Sequence, residues 1–224
     1  MDLRSLIISI SLFVIGCSHV TTITIKREIL PEIDVDEINR VGIICLGEDE
    51  DLTNLIVEEW KAGLFNSPFY ILSSFEVEEL TEGIEKIGAD IIDDKERRIE
   101  LSKKLEADAL LIFDIKELKE DIIRNYEVKS YYDKDVQRYS FYKVFYIQRY
   151  MDLDMDVKFF TVKKDDPIWS KNYKGVETIT YPEGNSGLDY RSKLIKGLVE
   201  GPINDFIKAI TPQYKYLERK MVIE

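Results

Sequence analysis

Val41-Gly42-Ile43-Ile44-Cys45-Leu46 is a continuous apolar run of strand length. A strand that is apolar at every position is typical of a sheet covered on both faces, because neither face then meets water. The segments that follow predict, in order, a helix over 51–64 with Asp51 as its cap, a strand over 69–72, helices over 77–84 and 94–105, and a second apolar strand over 107–115. This alternation of strands and helices predicts an α/β core.

The second half of the chain has a different period. Residues 151–159 alternate apolar residues with aspartates and a lysine, which predicts a half-buried strand with one wet face. Asp165-Asp166-Pro167 predicts a turn, and residues 168–181 predict the returning arm of a long antiparallel hairpin.

The last apolar pattern predicts a helix that opens at Asp189, breaks at Gly201-Pro202 and ends before Pro212. Taken together, these segments predict an α/β (α+β) fold, in which a mixed β-sheet is flanked by helices and carries a long antiparallel hairpin in the second half of the chain.

The amino-terminal segment predicts a secreted, lipid-anchored protein. Arg4 precedes an apolar run over 6–15, which is too short to span a hydrocarbon core that needs roughly 20 residues. The run ends in Val14-Ile15-Gly16-Cys17, which matches a lipobox, so Cys17 is the predicted lipidation site. The alternative is an ordinary signal peptide that happens to contain a cysteine. Ser18 after the cysteine favours the outer membrane, with the domain facing the periplasm.

These features predict four segments. They are a signal peptide over 1–16, a lipidated tether and extended arm over 17–37, a single α/β domain over 38–212, and a charged tail over 213–224.

Composition and residue types argue against several classes of function. The 43 acidic residues against 31 basic ones give a net charge of −12, which disfavours binding to nucleic acid. The single histidine, His19, lies on the predicted tether, so no histidine base or ligand is expected in the domain. Cys45 is expected to be a buried small hydrophobe. We therefore predict no catalytic residue, no metal site, no cofactor and no enzymatic activity.

Two acidic clusters each have two interpretations. Asp152, Asp154 and Asp156 line one face of a predicted strand, where they either help to hold a cation or form a solvated sheet face. Residues 48–51 are four successive acids that either sit at a ligand site at the end of the first strand or complement the dipole of the following helix. The solvated face and the helix dipole are the interpretations that we favour.

Tyrosine is concentrated between residues 126 and 150, which hold seven of the 13 tyrosines. Aromatic side chains with a polar tip are favoured at protein interfaces and at membrane surfaces. Either these rings pack between sheet and helices, or they form a partner surface. For the second case the candidate residues are Tyr139, Tyr142, Tyr146 and Tyr150.

The order of segments resembles a lipoprotein family. The matching stretches are residues 26–33 (KREILPEI), 40–44 (RVGII), 64–72 (LFNSPFYIL), 105–112 (LEADALLI) and 167–170 (PIWS). They resemble the curli-export lipoprotein CsgG and its LpoB-like relatives, the lipoprotein activators of penicillin-binding proteins. The resemblance implies a mixed sheet flanked by helices and a role in binding and assembly at the outer membrane.

The chain departs from the export channel in one respect. That channel contributes transmembrane hairpins to a ring, whereas residues 126–150 of this chain carry many charges. A charge facing lipid near the bilayer midplane costs ~2 to 4 kcal/mol. The leading hypothesis is therefore an outer-membrane-anchored, non-enzymatic accessory or scaffold protein with an unidentified envelope protein partner, with self-association into a homo-oligomer left open. The alternatives are an oligomeric secretion component and a carboxylate-dependent hydrolase.

Overall fold

A computed structural model of the chain describes residues 19–72, 77, 87–184 and 189–223. Cys17, the predicted signal peptide and nearly all of the predicted helix over 77–84 lie outside these residues. The described residues divide into two compact units, one formed by those within 32–210 and the other by those within 1–31 and 211–224.

The regular elements are, in chain order, β1 (His19–Ile29), β2 (Arg40–Leu46), α1 (Glu50–Gly63), β3 (Tyr70–Ile71), a 3-10 turn (Ala89–Ile92), α2 (Lys95–Lys104), β4 (Ala109–Asp133), β5 (Arg138–Thr161), β6 (Trp169–Pro182), α3 (Tyr190–Ile210) and β7 (Gln213–Ile223).

The unit of residues 32–210 is built on an open five-stranded sheet with the strand order β3-β2-β4-β5-β6. β2 pairs in parallel with β3 and β4, whereas β4, β5 and β6 pair antiparallel. The apolar run at 41–46 is a central strand, and its neighbour β4 begins with the second apolar run. The predicted mixed sheet flanked by helices, with a long antiparallel hairpin, is confirmed.

Helices cover both faces of this sheet. Buried residues of α1 and α3, including Trp60 and Phe206, pack on one face against Phe113 and Phe159. Leu101 of α2 belongs to a smaller core on the other face. No helix within the described residues is long and apolar enough to cross a membrane.

Two details of the helices differ from the prediction. α1 is capped by Asp49, whose side chain accepts a hydrogen bond from the backbone N–H of Leu52 at 3.1 Å, and not by Asp51. α3 runs through Pro202 without a break. A proline inside a helix costs about 3 kcal/mol. The break was wrongly predicted because Leu198 before the proline and Phe206 after it are both buried in the same core, which outweighs that cost.

The terminal unit is a two-stranded antiparallel ladder. β1 pairs with β7 from His19↔Ile223 to Ile29↔Gln213 without a register shift. The segments predicted as an extended arm and a charged tail pair with each other here as regular strands. β1 contains a run of β-branched residues over 20–25, and tyrosines flank a lysine at the start of β7, and both residue types favour strands. Lys26 lies 3.6 Å above the ring of Tyr214 across the ladder.

Candidate functional site

The hairpin of β4 and β5 extends beyond the rest of its sheet. β6 pairs with β5 only from Phe159↔Trp169 to Tyr146↔Pro182, whereas β4 and β5 remain paired as far as Asp133↔Arg138. Residues 126–145 therefore form a two-stranded extension, which we call the ribbon. With eight residues in each strand and a rise of ~3.4 Å per residue, its strands are ~27 Å long.

A compact turn closes the ribbon. The side chain of Asp133 accepts hydrogen bonds from the backbone N–H of Asp135 at 3.0 Å and of Val136 at 3.3 Å. Gln137 adopts a φ of 50°, in the left-handed region, and leads into β5. Aspartate favours such turns because its short side chain bonds to the backbone two residues ahead. The turn fixes the register of the strands on either side.

One face of the ribbon is aromatic and carries no carboxylate. Directly paired residues share a face of an antiparallel ladder, and successive residues alternate between faces. The register therefore places on one side, here called the aromatic face, Tyr126, Val128, Ser130, Tyr132, Tyr139, Phe141, Lys143 and Phe145. Phe141 is 72% exposed and Tyr139 is 65% exposed. Farther along β5, the side chains on this side of the strand include Met151, which is buried in the core.

The opposite, mixed face combines both charges with polar and aromatic residues. Its members are Glu127, Lys129, Tyr131, Asp133, Arg138, Ser140, Tyr142 and Val144. Tyr146 and Tyr150 continue this face towards the base, and the hydroxyl of Tyr146 donates to Glu127 at 3.3 Å. Tyr142, Tyr146 and Tyr150 are thus brought to one side, whereas Tyr139 lies on the aromatic face. Phe141 and Phe145, which the candidate set omitted, share the aromatic face with Tyr139.

Contacts within the aromatic face hold its side chains in place and leave them exposed. The rings of Tyr126 and Phe145 have centroids 5.9 Å apart, and those of Tyr132 and Tyr139 are 5.2 Å apart. Lys143 lies 4.2 Å from the centroid of Tyr126, in a cation–π geometry. Aromatic cross-strand pairs stabilise a ladder by roughly 0.2–1 kcal/mol each. The face is therefore both ordered and accessible.

A polar network ties β4 and β5, in the part of the sheet before the ribbon, to the helices. Glu120 on β4 accepts from Arg149 on β5 at 3.0 Å and from Arg191 on α3 at 3.0 Å. Arg191 also donates to Asp49, the cap of α1, at 3.3 Å. Arg149 donates to the hydroxyl of Tyr181 at 2.8 Å, and this bond is the main cause that raises the pKa of Arg149 above its usual value.

The two acidic clusters are engaged in ion pairs and caps. Asp154 pairs with Lys174 at 2.6 Å, and Asn172 donates to both Asp154 and Asp156 at 2.9 Å. In the other cluster, Asp49 is the cap of α1 already described. Within the residues that the structure describes, no group of three or more histidine, cysteine, aspartate or glutamate side chains is placed to hold a metal ion.

Comparisons with known proteins give weak similarities of structure. No family profile matches the sequence, and no curated protein matches it. Lipoprotein GNA1162 from Neisseria meningitidis is 18% identical, with a TM-score of 0.42 over 75% of this chain and 97% of that chain. The PelC dodecamer from Paraburkholderia phytofirmans is 12% identical, with a TM-score of 0.32 over 81% of this chain and 97% of that chain.

The C-terminal domain of LpoB from Salmonella enterica is a third similar structure. It is 9% identical, with a TM-score of 0.34 over 62% of this chain and 82% of that chain. Proteins described as lipoproteins are thus among the structures that this chain resembles. At these identities and TM-scores, no function of a neighbour transfers to this chain.

Proposed function

We propose that this chain is a lipid-anchored, non-enzymatic accessory protein of the bacterial envelope, and that the ribbon binds a protein partner through its aromatic face. The observation that carries the proposal is that face itself. It presents five aromatic rings and a valine on a protruding element, without a carboxylate among its eight residues. Exposed apolar patches of this kind mark interaction sites.

The size of the aromatic face suits a protein interface. Each aromatic side chain can bury roughly 150–250 Å². The five rings are 38–72% exposed, so together they offer roughly 400–700 Å², a large share of the ~800 Å² that each partner contributes to an interface of standard size. Among the eight residues of the aromatic face, Lys143 alone is charged, and no carboxylate of that face neutralises it. We therefore expect the partner surface to be apolar with an acidic group near its centre.

The stability of the ribbon in the free protein supports a role in binding a partner. An isolated two-stranded hairpin is at best marginally stable in water. The aromatic pairs along the ribbon, and the sheet from which its strands extend, favour the paired strands in the free protein. A preformed binding element loses less conformational entropy when the partner docks.

The membrane anchor is proposed from the sequence. The lipobox ends at Cys17, and two or more acyl chains on that cysteine would give durable binding, since each buried methylene contributes about 0.8 kcal/mol. We propose attachment to the outer membrane with the domain facing the periplasm. Cys17→Ala tests the anchor: the variant should fractionate as a soluble protein. If Cys17→Ala stays in the membrane fraction, lipid on Cys17 is not the anchor.

Site-specific photo-crosslinking tests the partner surface. A benzophenone amino acid is placed at Phe141, on the aromatic face, and in a matched variant at Tyr142, the next residue, which lies on the mixed face. Irradiation of living cells should give a discrete crosslinked protein from position 141 and much less from position 142. Phe141→Ser should then abolish capture of that same protein by the tagged chain.

Two results would contradict the proposed function. Crosslinking to lipid alone from position 141 would make the aromatic face a membrane contact. Absence of any discrete protein product from either position would leave the ribbon without a partner and would overturn the proposal.

A further inference from the structure

The outer edge of β6 is a long, regular strand edge. β6 is the last strand in the order β3-β2-β4-β5-β6, and its register with β5 shows no shift from Phe159↔Trp169 to Tyr146↔Pro182. Within the described residues, no strand pairs with its other edge. An unpaired strand edge presents a row of N–H and C=O groups that can accept another strand.

The hydrogen-bond pattern shows which backbone groups point outward. The N–H of Glu183 donates to the carbonyl oxygen of Phe145 at 2.9 Å, and these two residues come directly after the last pair of the register, Tyr146↔Pro182. Hydrogen-bonded pairs recur at every second residue of an antiparallel ladder. The odd-numbered residues of β6 therefore bond to β5. The outward groups belong to Ser170, Asn172, Lys174, Val176, Thr178 and Thr180, whose side chains are all exposed.

The charged side chains that usually protect an edge strand are directed away from the free edge of β6. Charged side chains, proline and bulges normally discourage pairing. Lys171 bonds to Asp205 on α3 at 3.4 Å, and Lys174 pairs with Asp154 on the neighbouring strand at 2.6 Å. The side chain of Glu177 lies against α3. Its carboxyl carbon would be 2.8 Å from a Cβ atom added at Gly197 of that helix. All three charged side chains of β6 are thus drawn back onto their own fold.

We propose that this edge pairs with the β6 edge of a second copy of the chain, antiparallel about a two-fold axis at Val176. In this register Val176 faces its own copy, Lys174 faces Thr178, and Asn172 faces Thr180. Val176 is 61% exposed, so the pairing would cover an apolar side chain that now meets water. The product is a continuous sheet of ten strands across two copies.

Self-complementarity selects both the occupant and the register. An axis at Lys174 would place two lysines directly opposite, and an axis at Glu177 would do the same with two glutamates, and directly opposed like charges destabilise a ladder. An axis at Gly175 would bring no side chains together at the centre. An axis at Thr178 also opposes two β-branched residues, but it pairs only residues 174–182. An axis at Val176 opposes two β-branched residues and no like charges, and it pairs residues 170–182. Two-fold pairing of identical surfaces is the commonest form of oligomer.

This inference does not depend on the ribbon, because β6 ends where the ribbon begins. The pairing closes after two copies, so it predicts a dimer and not a ring or a filament.

Disulfide trapping tests the register. In a hydrogen-bonded pair the two Cα atoms lie about 5.5 Å apart, which a disulfide can span. The full chain carrying Val176→Cys, extracted in detergent and oxidised, should run as a dimer without reductant. In the matched control, Thr180→Cys, the two cysteines would lie ~27 Å apart and should not link. The parent chain measures the background from Cys17 and Cys45.

Two charge variants give opposite predictions for the dimer. Val176→Asp places two carboxylates on the axis and should raise the dissociation constant at least about tenfold. Thr178→Glu faces Lys174 of the second copy and should lower the dissociation constant. Sedimentation equilibrium of the detergent-solubilised chain measures both. A parent chain that stays monomeric up to about 100 μM, or equal trapping at positions 176 and 180, would overturn the inference.

Discussion

Arg149 donates from Nη1 to Oε1 of Glu120 at 3.0 Å, in the part of the β4–β5 ladder that lies within the sheet, four to six residues before the ribbon. The other carboxylate oxygen of Glu120 accepts from Arg191 on α3. One half-buried carboxylate therefore bridges two guanidinium groups from different elements. In a glutamine at this position, the amide oxygen can accept from one arginine, while the amide NH2 group would face the other without accepting from it.

Glu120→Gln should lower the free energy of unfolding by about 1–2 kcal/mol, because charge-assisted bonds are lost while both arginines still reach water. Urea unfolding followed by circular dichroism measures the change. Glu117→Gln is the matched control, since Glu117 pairs with Lys119 on the exposed surface of the same strand and should change stability by less than about 0.5 kcal/mol. Equal losses in the two variants would show that the network adds nothing beyond a surface pair.

The aromatic face should be dispensable for folding of the unit formed by residues 32–210. Phe141 is largely exposed, so Phe141→Ser should change the free energy of unfolding by less than about 1 kcal/mol. Phe159, on the same strand, is fully buried, and Phe159→Ala should cost about 3–5 kcal/mol. Thermal unfolding of both variants tests the contrast. A large loss of stability in Phe141→Ser would make the face part of the core.

The sequence predicted the central strands because their apolar residues are continuous, but it missed the continuation of β4 beyond residue 115. The register between β4 and β5 shifts between Ile115 and Glu117. Such a bulge reverses which residues face the core, so buried Phe113 has odd numbering and half-buried Leu118 has even numbering. A strict alternation of apolar and polar residues is interrupted there, and the strand cannot be recognised from its period.

The concentration of tyrosines indicated where the ribbon lies, but the register between β4 and β5 was needed to assign its residues to two faces. Tyr139 and Tyr142 are three residues apart, and an odd separation in a strand places two side chains on opposite faces. The four candidate tyrosines could therefore have been separated by sequence alone, once the segment was taken as one strand. The absence of carboxylates from the aromatic face could not, because it depends on which residues of β4 lie opposite β5.

Cys45 should be unreactive in the folded protein. Burial, with a smaller contribution from Asp114, raises the pKa of its thiol from 9.0 to about 12. Only the thiolate reacts with disulfide reagents, so labelling of the half-buried Cys45 at pH 8 should be slow in the native protein and become fast in urea. Absorbance after addition of a chromogenic disulfide measures the rate. Cys17→Ala provides the single-thiol chain, and adding Cys45→Ala to it provides the blank.

The same pKa shift makes stability depend on pH in one direction. The folded-state pKa of Cys45 lies above the unfolded value, so unfolding releases a proton at alkaline pH. Stability should therefore fall as the pH rises from about 9 towards about 12. Cys45→Ala should show a smaller fall over this range. Fast labelling of the native protein at pH 8 would contradict the raised pKa.

The close packing of α1 on α3 explains why the residue at position 63 is glycine. A Cβ at this position would lie 2.6 Å from Cγ2 of Ile203, a buried and β-branched residue that cannot swing aside. Gly63→Ala gains up to about 1 kcal/mol of helix propensity but overpacks the contact, so we expect a net loss of about 1–2 kcal/mol.

A double-mutant cycle with Ile203→Ala separates the two contributions. In the Ile203→Ala background the clash is absent, and the new methyl group fills part of the cavity that the shorter residue 203 leaves. Gly63→Ala should then stabilise the protein by up to about 1 kcal/mol, which reverses the sign of its effect. Urea unfolding of the four chains measures the coupling. Additive effects would mean that Ile203 is not the reason for glycine at position 63.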